Sequence, residues 1–203
     1  MIVVTGCIRG KLPAREFYRL VPGETNIAGQ AAGAPPLSGA VVITSYKTPG
    51  VYGSGSIVYR VGETAYGTYP SREWAIPLGE MLGSLTEDIV RARGLTSGSV
   101  VFDPTAPRRV GYEWRATVRQ FDEVDTPTSV SASVVLAAQL VRASDDSVLW
   151  SGSAHVTESV HESRRMESVV TSLSVAATRA VTQLVDEAAA ALRRLAAAGA
   201  RTG

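Results

Sequence analysis

The sequence predicts an α+β chain: an antiparallel sheet with two main amphipathic helices packed on it. Three observations carry that expectation. Apolar and polar residues alternate through most of 112–157, as they do in strands with one face buried. Two apolar stripes at spacings of three and four, one starting at Trp74 and one at Met166, mark amphipathic helices. Strands and helices also come in blocks, which separates this chain from a regular βαβ repeat.

The elements follow in order. Residues 1–15 read as a tether, and 16–198 as a single domain. Glu16-Phe17-Tyr18-Arg19-Leu20 is an apolar-aromatic run suited to an early strand. Residues 22–39, rich in Ala, Gly and Pro, read as a flexible loop. Ala40-Val41-Val42-Ile43-Thr44 is a β-branched strand that ends at the turn Lys47-Thr48-Pro49-Gly50. Runs 56–61 and 64–69 flank Gly62-Glu63, which predicts a two-residue type II′ hairpin. Ser71 offers an N-cap for a helix over 74–93 with the stripe Trp74, Leu78, Met81, Leu82, Leu85, Ile89. Pro77 fits its first turn and Gly94 stops it.

Strands follow near 112–123, 130–142 and 148–157, the last two separated by the turn cluster Ser144-Asp145-Asp146-Ser147. Trp114, Val134, Val148 and Trp150 are expected on the core face. A helix over 166–198 closes the domain, and many of its stripe residues are alanines that let it approach the sheet closely. Residues 199–203 read as a tail.

Composition narrows the function. The 203 residues are 45% hydrophobic and 19% charged with a formal net charge of +1, which excludes a wholly disordered chain and gives no bulk charge for nucleic acid. One cysteine cannot form an internal bridge, and no run of eighteen apolar residues exists to span a membrane as a helix. Gly53-Ser54-Gly55-Ser56 lacks the Lys of a P-loop, and no G-x-S-x-G elbow is present. His155 and His161 lack zinc-site spacing and read as surface histidines, so no metal and no cofactor are expected. Asp122-Glu123-Val124-Asp125 and Asp145-Asp146 read as carboxylates capping turns. Arg108-Arg109 and Arg164-Arg165 read as solvated pairs, and Trp74, Trp114 and Trp150 as core.

Val4-Thr5-Gly6-Cys7 has the form of a lipobox, with small residues before a cysteine whose thiol would carry diacylglycerol. Only six residues precede Cys7, so the expectation is a start codon upstream of Met1 that supplies the basic and apolar segments of a signal peptide.

These landmarks stand in a telling order: Thr-Gly-Cys7, then Tyr18-Arg19-Leu20, then Ser56-Ile57-Val58-Tyr59-Arg60, a Tyr-rich hairpin, and Ser71-Arg72-Glu73-Trp74-Ala75-Ile76-Pro77-Leu78. Over about residues 7–195 the chain resembles the ABC-type transport auxiliary lipoproteins, the PqiC/YmbA-like family that accompanies MCE lipid transport systems. The Ala/Gly/Pro insert after Leu20 departs from that pattern. The resemblance implies a non-enzymatic periplasmic subunit with Cys7 acylated, anchored by lipid in the outer membrane. It implies docking on an MCE protein that works with an ABC permease and ATPase, and it makes a homo-oligomeric ring matching a symmetric MCE ring plausible. Two other readings stay open: a soluble lipid- or peptide-binding carrier with a pocket between sheet and helices, and a hydrolase using the acidic clusters.

Overall fold

The computed structural model describes residues 14–22, 33–62, 64–104, 111–161 and 165–199. In chain order these form β1 (Glu16–Tyr18), β2 (Val41–Ile43), β3 (Ser56–Val61), β4 (Ala65–Trp74), α1 (Leu78–Ala92), β5 (Val100–Phe102), β6 (Tyr112–Asp125), β7 (Val130–Arg142), β8 (Ser147–Ser159) and α2 (Met166–Gly199). The class is α+β, as the alternating runs and the two stripes require.

The antiparallel meander β6-β7-β8 is the backbone of the sheet. Trp114 stands opposite Leu140, Val118 opposite Leu136 and Phe121 opposite Val134, so one face is continuous core. That continuity depends on a bulge. Val118 and Gln120 pair with consecutive residues of β7, which leaves Arg119 as an extra residue. The buried side chains therefore switch from even positions (Trp114, Ala116, Val118) to Phe121. Trp114 and Val134 lie on the same face, both fully buried.

The other edge of β6 is shared. β2 joins its start in parallel, Ile43 beside Trp114, and β3 joins its end in parallel, Tyr59 beside Glu123. From there the sheet forks, to β5 beside β2 and to β4 and then β1 beside β3. The meander is antiparallel and the short flanking strands make the sheet mixed.

Both helices lie against the core. Leu173, Ala177, Ala180, Val181, Leu184, Val185 and Ala188 of α2 are fully buried, and the small members allow close approach to β7 and β8. The hydrophobic core extends from Leu20 to Leu192. In α1, a β-carbon on Gly83 would overlap the Phe102 ring, so only glycine lets this helix close on β5. Tyr46 Oη lies 2.7 Å from Thr86 Oγ1 inside the same packing, and burial raises the Tyr46 phenol to about 12. The chain leaves α1 through Gly94 at φ +58, with Leu95 N–H donating back to the Val90 carbonyl.

Five local expectations need correction. Ser71 is not an N-cap: it sits inside β4 at φ +59, and Trp74 is the last strand residue, not the first of the helix. β4 is held through Trp74 by partners on both edges, β3 and the parallel β1. Pro77 stands at the N-cap position, one residue before the helix. Val61 pairs with Ala65, so the hairpin connection spans residues 62–64, one longer than expected, with Gly62 at φ +62. A second bulge, between Trp150 and Val148, turns Val148 out of the core to 53% exposure. β5, three residues long, was too short to give any periodicity. Cys7, most of the 22–39 loop, Glu63, Arg108-Arg109, Arg164 and residues 200–203 lie outside the described residues.

Candidate functional site

The motif-bearing hairpin builds a polar network into the end of the sheet. On one face Tyr59 lies across Gly67, where any β-carbon would overlap its ring. Tyr59 also tilts against Tyr69, ring centroids 5.0 Å apart at 54°. Tyr69 donates its hydroxyl proton to Glu123 Oε2 at 2.7 Å. On the opposite face Asp122 is completely buried. It accepts hydrogen bonds from the Tyr52 hydroxyl and from Gln120 Nε2, each at 2.9 Å. Arg60 Nε lies 3.7 Å from Asp122 Oδ2, and the Arg60 guanidinium carbon is 6.0 Å from the Tyr66 ring centre.

Burial pushes the Asp122 carboxyl above the ordinary range, against the opposing pull of Gln120, Tyr52 and Arg60. Burial likewise raises Glu123, with Tyr69 opposing and Asp125 adding to the rise. Both tyrosines that serve these carboxylates, Tyr52 and Tyr69, have phenols pushed up first by burial, so they remain donors.

This corrects the reading of the first acidic cluster as a turn. Asp122 and Glu123 are strand residues, because β6 continues to Asp125. As neighbours in a strand they face opposite sides of the sheet, and each has its own tyrosine. They do not converge on one cleft, as paired acid and base groups must. The second cluster does cap a turn: Asp145 accepts the Ser147 N–H at 3.1 Å and its hydroxyl at 2.7 Å, bonds that hold its carboxyl below the usual range. Tyr52, in a 3₁₀ turn at Gly50–Gly53, gave no sequence signal, since a lone tyrosine in a Gly-rich turn reads as surface.

The Tyr18-Arg19-Leu20 segment is clamped to the domain. Tyr18 donates to Glu16 at 2.5 Å and accepts from Arg72 at 3.2 Å, while its carbonyl takes the Ala75 N–H. Leu20 is buried, and the Val21 N–H donates to Ser174 Oγ of α2 at 3.1 Å. Beside it an open groove of about 390 Å³ runs between this segment and α1, lined by Leu20, Pro22, Ile76, Met81, Leu85 and Phe102.

The histidines do not meet. His155 is exposed on β8 with Ser133 Oγ 3.2 Å away, and His161 is exposed beyond the strand end. Among the described residues no group of three metal-ligating side chains exists, and no helix is long and apolar enough to cross a membrane. Trp114 and Trp150 stack at 5.5 Å and 25°, and Trp74 meets Phe121 edge-on, so all three tryptophans belong to packing. A wider polar groove of about 820 Å³ crosses the sheet face away from the helices, and Lys47, Arg115 and Arg119 line it.

No family model matches the sequence, and no curated protein matches it. Solved structures do. A Xanthomonas campestris protein of family DUF330 superposes with a TM-score of 0.68 at 20% identity, over 90% of this chain and 97% of that one. An uncharacterised protein superposes at 0.63 with 12% identity, over 86% and 99%. A PelC dodecamer from Paraburkholderia phytofirmans aligns at 0.49 with 15% identity, over 79% and 94%. The chain therefore shares the fold of a DUF330 protein.

Proposed function

We propose that this chain is a non-catalytic accessory lipoprotein of an MCE/ABC-type lipid transport system. In this reading acylated Cys7 anchors it in the outer membrane on the periplasmic side, and the folded domain docks on the MCE protein. The observation that carries the proposal is the fate of the landmark motifs within a DUF330-like fold. Tyr18-Arg19-Leu20 is locked to the sheet edge and to α2, and Tyr59, Arg60 and Tyr69 are tied into a part-buried network around Asp122 and Glu123, with Tyr66 exposed beside Arg60. Neither leaves a nucleophile or a paired acid and base for turnover.

The nine residue steps from Cys7 to Glu16 allow a tether of up to about 30 Å. Three acyl chains on Cys7 would hold far more firmly than the marginal binding of a single chain. Self-association into a ring would match a symmetric MCE partner. The carrier alternative draws on the groove at Leu20, Ile76 and Phe102, which is open along its side.

Fatty-acid labelling tests the anchor. The protein, expressed in its native host from its own gene, should incorporate an alkyne-tagged fatty acid, and Cys7→Ser should abolish the label. Label that persists in Cys7→Ser, or that never enters the unaltered protein, would remove the anchor from the proposal.

A further inference from the structure

We infer that the groove on the helix-free face of the sheet is a docking site for an acidic segment of a partner protein. This goes beyond the transport reading, because it fixes a surface and a ligand chemistry whether or not the partner is an MCE protein. The groove of about 820 Å³ crosses β6, β7 and β8. Its rows follow from the sheet register. Arg115, Gln139 and Ser151 stand side by side across the three strands, and Lys47 sits in the next row beside Thr117. Ala137 keeps the floor low.

Charge selects the ligand. Arg115 already grips two carboxylates, Glu113 Oε2 at 2.7 Å and Asp146 Oδ1 at 2.9 Å, both through Nη2. Arg115 is therefore already paired, partly by Glu113 of the same groove, and the uncompensated positive charge comes from two other lining residues. Lys47 and Arg119 have no carboxylate partner among the described residues. Arg119 is the extra residue of the β6 bulge, and it lines the groove with its side chain exposed. Lys47 lies beside Thr117, two residues before Arg119, so neighbouring carboxylates on one extended peptide can meet both cations.

The shape and lining disfavour other polyanions. The surface is concave, so a flat bilayer of anionic headgroups cannot reach its floor. The lining has no aromatic ring on which a base could stack.

The test is fluorescence anisotropy with a fluorescein-labelled octaglutamate peptide at low salt. Unaltered protein should bind it, and binding should weaken as salt is raised, since exposed charges are screened. The double variant Lys47→Glu/Arg119→Glu should weaken binding at least tenfold. The double variant Arg91→Glu/Arg194→Glu, with the same change in net charge on the helices, should leave it within twofold. Ala137→Phe, which raises the floor without touching charge, should also weaken binding. Thermal unfolding of each variant checks that it is folded. The inference is overturned if the peptide does not bind, if both charge variants lose binding equally, or if Ala137→Phe binds normally. It is equally overturned if phosphatidylglycerol vesicles or dextran sulfate bind more tightly than the peptide through the same residues.

Discussion

Replacing Tyr52 with phenylalanine removes one oxygen and keeps the ring, which makes it a clean probe of the Asp122 network. The lost group is the hydroxyl that donates to Asp122 Oδ2 at 2.9 Å. Asp122 has no solvent access, so water cannot replace that donor, and Oδ2 keeps only Arg60 at 3.7 Å. A hydrogen bond to a buried charged group contributes about 1.5–3 kcal/mol. For a domain of this size that corresponds to a fall in Tm of about 3–12 °C. The Tyr52 bond favours the ionised form of Asp122, so the loss should be greater at pH 8 and shrink as pH falls and the raised Asp122 carboxyl takes up its proton. The phenol itself is pushed up by burial and stays protonated at pH 8. Urea unfolding followed by tryptophan fluorescence measures this directly. A destabilisation below about 0.5 kcal/mol, or one that does not change with pH, would mean that the Tyr52 hydroxyl does not stabilise a buried Asp122 carboxylate.

Other outcomes follow from the same structure. Asp122 and Glu123 both have folded-state pKa values raised above their ordinary 3.8 and 4.5. Their contribution is fully present below the ordinary values and lost as pH rises through the raised ones, so the urea midpoint should climb as pH is lowered from 8 through the raised values towards the ordinary ones. A midpoint that instead falls steadily over that range contradicts the burial of these carboxylates. Gly67→Ala should cost about 1–3 kcal/mol by forcing Tyr59 aside, and Tyr59→Leu should recover part of that loss in a double-mutant cycle. Leu184→Ala, at a fully buried position of α2, should cost about 2–5 kcal/mol in the same assay. Ser174→Ala should free the Val21 end of the clamped segment, read as faster proteolysis near residues 14–22 with little change in global stability.

The parts of the fold that were legible in the sequence are those where one face is buried over many residues. β6, β7, β8 and α2 each span thirteen residues or more, long enough for period 2 or period 3.6 to stand out. The bulges at Arg119 and near Leu149 were invisible, because each inserts one residue without changing composition. A single slip moves every later side chain to the other face, which is how Val148 left the core. Trp74 misled for a related reason: it continues the spacing of the α1 stripe, yet two neighbouring strands hold it in β4. The candidate site was half legible. Tyr59, Arg60, Tyr66 and Tyr69 stood out as a motif, but Asp122 and Glu123 looked like turn residues. Their partners lie 70 and 54 positions away, and only the parallel join of β3 to β6 brings that end of the chain together.

The proposed role of this domain is docking in a membrane transport assembly, without turnover. Affinity purification of the tagged protein from native-host membranes, solubilised under conditions that preserve complexes, tests it most directly. An MCE protein with its ABC permease and ATPase should be recovered with it and retained after a salt wash that removes unrelated envelope proteins. Recovery of the tagged protein with no MCE or ABC component would contradict that role.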